Sequence, residues 1–171
     1  MKTEHPLVKL ARSTIEAYVG ERRVIDPTHE LGELGNVQVG AFVSLHRHGQ
    51  LRGCIGTIEN VHGDLEREVI QNAISAATRD PRFPPVRVNE LADLEISVDV
   101  LGQPEKIEGL GQLDPRLYGV IVEKGNRRGL LLPDLEGVDT PEQQVDIALS
   151  KARIEPRESY RMYRFRVDRY H

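Results

Sequence analysis

The segment Ala41-Phe42-Val43-Ser44-Leu45-His46-Arg47-His48-Gly49-Gln50-Leu51-Arg52-Gly53-Cys54-Ile55-Gly56 decides the fold. An apolar run, a His48-Gly49 turn in which glycine supplies a positive φ, and a second run from Leu51 together spell a β-hairpin. A two-residue turn sets Arg47 opposite Gln50, Leu45 opposite Arg52 and Val43 opposite Cys54. Alternation then groups Val43, Leu45, Arg52 and Cys54 on one face. Phe42, Ser44, His46, Leu51, Gly53 and Ile55 take the other.

Upstream of the hairpin, Leu7, Leu10, Ala11, Thr14, Ile15, Tyr18 and Val19 recur at helical spacing. Thr3 is the expected cap, Pro6 sits in the first turn, and Gly20 stands where the helix should end. Residues 22–40 show no period and read as an irregular connection. Downstream, Asp64 caps an expected helix with an apolar stripe of Leu65, Val69, Ile70, Ala73, Ala76 and Ala77, stopped by Pro81. Asp80-Pro81-Arg82-Phe83-Pro84-Pro85 follows as a stiff loop, because three prolines fix φ, and it can hold Arg82 and Phe83 at little ordering cost.

Leu94, Ile96, Val98 and Val100 alternate with Glu95, Ser97 and Asp99, the pattern of a half-buried strand. A polar linker to Pro115 leads to a second hairpin, 118–122 and 129–132, with its turn at Lys124-Gly125-Asn126-Arg127. Thr140-Pro141-Glu142-Gln143 starts a helix with a capping box. Tyr163, Phe165 and Val167 mark one last strand. Hairpin, helix, strand thus occurs twice. The expectation is an α+β fold: one compact, two-lobed domain over residues 1–171 with mixed or antiparallel sheet. Its two subdomains would divide near residues 102–116, with an internal duplication as an option although no sequence repeat underwrites it.

Composition narrows the class. Apolar residues make up 39% and charged residues 29% of the 171, the proportions of an ordinary globular protein. A net charge of −4 implies no global attraction to nucleic acid or anionic membrane. No apolar run approaches the roughly 20 residues of a membrane span, and the first ten residues lack a signal-peptide core. The single cysteine cannot form an internal disulfide, which suits a reducing compartment, so the expected location is the cytoplasm.

Cys54 is the first chemical candidate. A lone cysteine is commonly an inert buried hydrophobe, and that reading stands beside a functional one. Gly53 and Gly56 allow a ligand to approach the backbone and, with Ile55, form a candidate binding segment. Arg52 supplies positive charge that favours a thiolate, so Cys54 and Arg52 are the candidate catalytic pair. Asp80, Arg82, Phe83 and Asp99 are further candidate binding residues. The general base is open: His46 lies on the opposite face in the register above, a bulge at a glycine would reverse that, and His62, Glu95 and Asp99 are alternatives. No zinc-ligand spacing exists, so no metal is expected, and no phosphate-cradling glycine loop is present. Arg157, Arg161, Arg164, Arg166 and Arg169 interleave with Tyr160, Tyr163, Phe165 and Tyr170. That stripe could bind RNA or single-stranded nucleic acid, but Tyr163 and Phe165 are the natural core face and an arginine-lined outer face commonly protects an edge strand, which is the default reading.

With these residues assembled, the chain resembles the AMMECR domain family, in bacteria the AmmeMemoRadiSam system protein A. The hexapeptide Leu51-Arg52-Gly53-Cys54-Ile55-Gly56 carries the resemblance most specifically. Asp80-Pro81-Arg82-Phe83-Pro84-Pro85, Val98-Asp99-Val100-Leu101, Tyr118-Gly119-Val120-Ile121-Val122 and Gly129-Leu130-Leu131-Leu132-Pro133 support it. Some members carry a second cysteine before a Lys-Ala-Gly segment; Leu149-Ser150-Lys151-Ala152-Arg153 has neither that cysteine nor that glycine, which weighs against a two-thiol mechanism. The resemblance implies an α+β domain of two subdomains, partnered by a Memo-type protein and a radical SAM enzyme, without a settled activity or cofactor. The functional expectation is binding or transformation of a small metabolite at residues 52–56, with a cysteine-dependent enzyme as one form of it. The alternatives are an RNA-binding or RNA-modification accessory and a non-catalytic interaction module.

Overall fold

A computed structural model describes residues 3–171. The chain is mixed α and β, and its strands form two four-stranded sheets. It divides into two units, one running to Val100 and including Arg169–His171, the other spanning Leu101–Asp168.

In the first unit, helix α1 (Pro6–Glu21) begins at His5 rather than at the expected Thr3. His5 Nδ1 accepts the Leu7 N–H at 3.2 Å, and its ring stacks on Tyr170 with centroids 4.0 Å apart. His5 N–H also donates to the His171 carbonyl, so the cap residue is selected by the C-terminal segment it binds. Burial lowers the His5 pKa, which suits a ring nitrogen acting as acceptor. The helix runs past Gly20 and stops at Arg22, which takes the left-handed conformation with φ 56°.

Strands β1 (Ala41–Arg47) and β2 (Gln50–Gly56) form the expected hairpin, and α2 (Leu65–Thr78) follows with Asp64 accepting the Arg67 N–H as its cap. Strand β3 (Leu94–Leu101) pairs with β1, and β8 (Val167–Tyr170) lies beyond β3, giving the order β2-β1-β3-β8. Ala41, Val43, Leu45, Ile96 and Val98 are buried in one cluster with Leu65, Val69, Ala73, Ala76 and Ala77 of α2 and Leu7, Val8 and Ala11 of α1. The small residues of α2 let it lie close to the sheet. A Cβ built on Gly53 would stand 2.3 Å from the Ala76 carbonyl oxygen, so only glycine fits beneath the helix.

The hairpin register departs from the sequence expectation. Arg47 pairs with Gln50 and His46 with Leu51, but Leu45 then faces Gly53, Ser44 faces Cys54 and Val43 faces Ile55. Arg52 is an extra residue on β2, a β-bulge. The physical reason is burial. An unbroken two-residue hairpin would put Arg52 opposite fully buried Leu45, beneath α2, where a guanidinium is costly. The bulge sends Arg52 out to Glu90 and brings Gly53 under the helix instead. Every residue after it changes face: Cys54 leaves the side of Val43 and Leu45 and joins that of Phe42 and Ser44.

The second unit repeats the order. Hairpin β5 (Gly119–Lys124) and β6 (Arg127–Leu131), helix α3 (Pro141–Ala152) and strand β7 (Arg161–Phe165) follow one another. The sheet order is β4-β7-β5-β6, so β6-β5-β7 here corresponds to β2-β1-β3 in the first unit. Strand β4 (Glu105–Ile107) occupies what reads in sequence as a polar linker; it is three residues long and carries no detectable period. The single last strand expected from Tyr163, Phe165 and Val167 is two strands, β7 in this sheet and β8 in the other. Periodicity continues through the junction and cannot reveal a change of sheet. Here too a glycine lies under a helix: a Cβ on Gly129 would meet the Ala148 carbonyl oxygen at 2.1 Å.

At the turn end of the first hairpin, Glu90 accepts from Arg52 Nε at 2.9 Å, Arg52 Nη2 at 3.1 Å and Arg47 Nη1 at 3.3 Å. The Arg52 hydrogen bonds, with that of the Arg87 N–H, pull the Glu90 carboxyl down to about 2 despite its burial.

Two outcomes follow from this packing. Gly53→Ala and Gly129→Ala must each displace a helix carbonyl, and denaturant titration should show each destabilised by about 1–3 kcal/mol or more. Glu90 has a depressed folded pKa, so its stabilising effect is complete above its ordinary value of 4.5 and is lost as pH falls through about 2. Stability of the wild type should therefore fall more steeply over that window than stability of Glu90→Gln; equal slopes would refute the coupling.

Candidate functional site

Cys54 lies on β2, an edge strand, and its backbone does not pair outward with another strand. Instead its N–H donates to Asp80 Oδ2 at 2.9 Å, and its carbonyl accepts from Arg82 Nη2 at 3.3 Å. Asp80 also accepts the Arg82 N–H at 3.0 Å and the Arg82 side chain at 3.0 and 2.8 Å. An acid and an arginine two residues apart thus supply the donor and acceptor that a neighbouring strand would have supplied. The stiff loop makes this possible. Phe83 N–H closes a turn onto the Asp80 carbonyl at 3.2 Å, and Val86 N–H ties the loop's end to the Ala77 carbonyl at 2.8 Å. Phe83 in turn lies under the Arg82 guanidinium, 5.5 Å from it. Asp80 is 4% exposed; its hydrogen bonds with Arg82 hold its carboxyl well below the usual carboxylate range against that burial.

The Cys54 side chain meets Ser44 across the strands, Sγ to Oγ 3.2 Å. Ser44 is in turn paired with Ser97 of β3, and the next row holds Gly56, Phe42 and Asp99. The rows place Cys54, Ser44, Ser97 and Asp99 on the face of the first sheet away from α2. Gly56 is there because the Phe42 ring lies across it: a Cβ would stand 2.2 Å from that ring. Ile55 turns to the opposite face and packs at the border of the core.

Burial raises the Cys54 pKa; the Ser44 hydrogen bond and the Arg82 charge oppose that, and Asp99 and Asp80 add to it. The resting group is a thiol. Arg52 does not act on it: its guanidinium is bound to Glu90, and the positive charge near Cys54 belongs to Arg82. Asp99 is 2% exposed and held by Arg169 through Nε at 2.7 Å and Nη2 at 3.0 Å, so it is an engaged carboxylate rather than a free base. The bulge brings His46 to the face of Cys54, one pair nearer the turn, opposite Leu51 and Glu95. His62 sits in the loop that follows the hexapeptide. That loop is pinned by Glu68 of α2, fully buried, whose Oε2 accepts the Val61 N–H at 3.0 Å and the His62 N–H at 2.8 Å. Among the described residues no cluster suited to a metal ion occurs.

The structure therefore brings together Cys54, Asp80, Arg82 and Phe83, and it separates Arg52 from them. Sequence reading missed Ser44 and Ser97 as neighbours of the thiol. Alternation could have found them only with the bulge in place, and the signal for a bulge was an arginine that would otherwise lie in the core. The five C-terminal arginines are largely engaged. Arg157 pairs with Glu155, Arg161 with Glu123, Arg164 with Glu105 and Arg169 with Asp99, while Arg166 lies over the Tyr118 ring.

Comparison with known proteins places this arrangement. A Thermotoga maritima protein is 52% identical over 170 residues, covering 98% of each chain. A Clostridium acetobutylicum protein is 47% identical over 96% of this chain, which spans only 36% of that longer protein. The crystal structure of an uncharacterized protein from Pyrococcus horikoshii superposes with a TM-score of 0.88 at 35% identity, covering 95% of this chain and 88% of that one. The AMMECR1 family profile matches residues 8–170, from the first helix to the last strand, and the chain belongs to the AMMECR1 family.

Proposed function

We propose that the chain binds a small carbonyl-bearing or anionic metabolite at the half-buried Cys54, on the face of the first sheet away from α2, with the thiol as the contacting group. The observation that supports this is the way the thiol is held. Its strand edge is bound at both N–H and C=O by Asp80 and Arg82, while Sγ lies 3.2 Å from the Ser44 hydroxyl. Fixing a thiol in one geometry is what binding or reaction at that atom requires, and inert packing does not. In this reading Gly53, Ile55 and Gly56 shape the strand, Arg52 and Glu90 fix its bulge, and Arg82 supplies charge beside the ligand. A carbonyl ligand would take up the thiol by addition: an S–C bond forms while the thiol proton passes to the carbonyl oxygen, with the Ser44 hydroxyl as relay.

The protein would work in the cytoplasm as a component of an AmmeMemoRadiSam system, beside a Memo-type protein and a radical SAM enzyme. No helix among the described residues is long and apolar enough to cross a membrane. The Clostridium relative, in which the matching region is part of a longer chain, agrees with a domain that operates next to other polypeptide. The RNA-accessory reading is less favoured, because four of the five C-terminal arginines are already bound by carboxylates.

The test is mass spectrometry of the folded protein after incubation with a cell extract or with iodoacetamide, set against Cys54→Ser. A mass increase on the peptide containing Cys54, absent in the variant, is expected while stability changes by less than about 1 kcal/mol. Alkylation should accelerate with pH through an apparent pKa above the ordinary thiol value of 9.0, because burial raises it. A Cys54 that takes up nothing from the extract and is inert to iodoacetamide in the folded state would defeat the reading.

A further inference from the structure

Beside Cys54 the loop 79–88 carries a second surface, distinct from the sheet face. Arg79, Arg82 and Arg87 are all exposed, Arg82 with 55% of its side chain in solvent. The loop's one carboxylate, Asp80, is buried and turned inward onto Arg82 and the Cys54 N–H. Among the described residues no ion pair holds the guanidinium of Arg79 or Arg87, although Glu90 accepts the Arg87 backbone N–H at 2.8 Å, whereas the guanidiniums of Arg12, Arg47, Arg52, Arg127, Arg161 and Arg164 all pair with acids. The chain as a whole carries −4, so this is a local cationic patch on an acidic protein. Apolar surface is interspersed with it. Pro81, Pro84 and Pro85 are exposed, Val88 is 61% exposed and Phe83 is half-buried. The prolines and the Ala77–Val86 tie hold the patch in one shape before anything binds, which lowers the entropy cost of docking.

We propose that loop 79–88 is a docking surface for an acidic segment of a partner protein that carries apolar side chains between its carboxylates. Charge complementarity selects the sign of the partner. The spread of three guanidiniums over ten residues, with Val88 and the prolines between them, matches an extended peptide better than a small anion, which would use one guanidinium. The surface has no exposed aromatic platform for stacking bases, and this favours peptide over single-stranded nucleic acid. Because the loop also clamps the Cys54 backbone, a docked partner would sit next to the thiol.

The experiment is fluorescence anisotropy with the full chain and a labelled acidic peptide containing leucines. Polyglutamate and oligo(dT) of matching length serve as comparison probes, and inorganic phosphate as competitor. The leucine-containing peptide should bind, weaken as salt screens the charges, and bind at least about tenfold less tightly to the Arg79→Gln/Arg87→Gln double variant. Arg161→Gln, which removes an arginine paired with Glu123, should leave affinity unchanged. Val88→Ser should reduce affinity for this peptide to that for polyglutamate. Both loop side chains are exposed and make no ion pair among the described residues, so the double variant keeps the fold, which circular dichroism verifies. No binding at low salt, or equal binding by the double variant, overturns the proposal. So does tighter binding of oligo(dT), which assigns the patch to nucleic acid, or displacement by millimolar phosphate, which assigns it to a small anion. Cys54→Ser should dock the peptide normally, so docking and chemistry at the thiol can fail independently.

Discussion

The rest of the first unit depends on a buried carboxylate bound to a backbone amide: Asp80 accepting the N–H of Cys54. An edge strand leaves every second N–H and C=O without a partner, and such edges invite slippage or pairing with another chain. At Cys54 both groups are taken, the N–H by Asp80 and the carbonyl by Arg82. A charge as buried as Asp80 would be strongly unfavourable alone, but its hydrogen bonds with Arg82 and two backbone amides offset the loss of water. The proline-fixed loop holds both partners in register, so the edge is bound at Cys54 as a neighbouring strand would bind it. The thiol inherits that rigidity.

The bulge at Arg52 is the second constraint, and it follows from the first unit's core. With α2 lying on β1 and β2, the position opposite Leu45 must be almost empty, and Gly53 fills it. Arg52 then leaves the sheet for Glu90. Burial of one glycine and exclusion of one arginine together decide which face Cys54 occupies. The thiol's neighbours are consequently Ser44, Ser97 and the engaged Asp99 rather than Val43 and Leu45.

Most of the fold was legible from period and punctuation. Asp64 and Thr140 capped the helices as their side chains suggest, the His48-Gly49 and Gly125-Asn126 turns held, and the strand of Leu94, Ile96, Val98 and Val100 was plain. The misses have particular causes. The register failed at Arg52 because a bulge costs one residue and alternation has no marker for it. His5 replaced Thr3 as a cap because Tyr170 and His171, distant in sequence, selected it. The last strand divided because one alternating pattern served two sheets. For the site, Cys54 and the Asp80–Arg82 loop stood out by residue type, but their direct contact depends on the loop folding onto an edge. Comparing the two units adds a signal that was present in the chain: Gly53 and Gly129 each stand at the third pair from their turn and under a helix, although Arg128 pairs in register with Glu123 where Arg52 is bulged out. Cys54 corresponds to Leu130, whose carbonyl is bound by Lys151 as that of Cys54 is bound by Arg82. The packing solution is shared, and the thiol belongs to one copy.

Amide hydrogen exchange at Cys54 tests the central claim most directly. Its N–H points off the edge of β2 and is shielded only if Asp80 accepts it. The account predicts slow exchange at Cys54 in the wild type and exchange at the rate of an open edge amide in Asp80→Ala, with the core amides of β1 still protected. Fast exchange at Cys54 in the wild type, or unchanged protection in the variant, would contradict it.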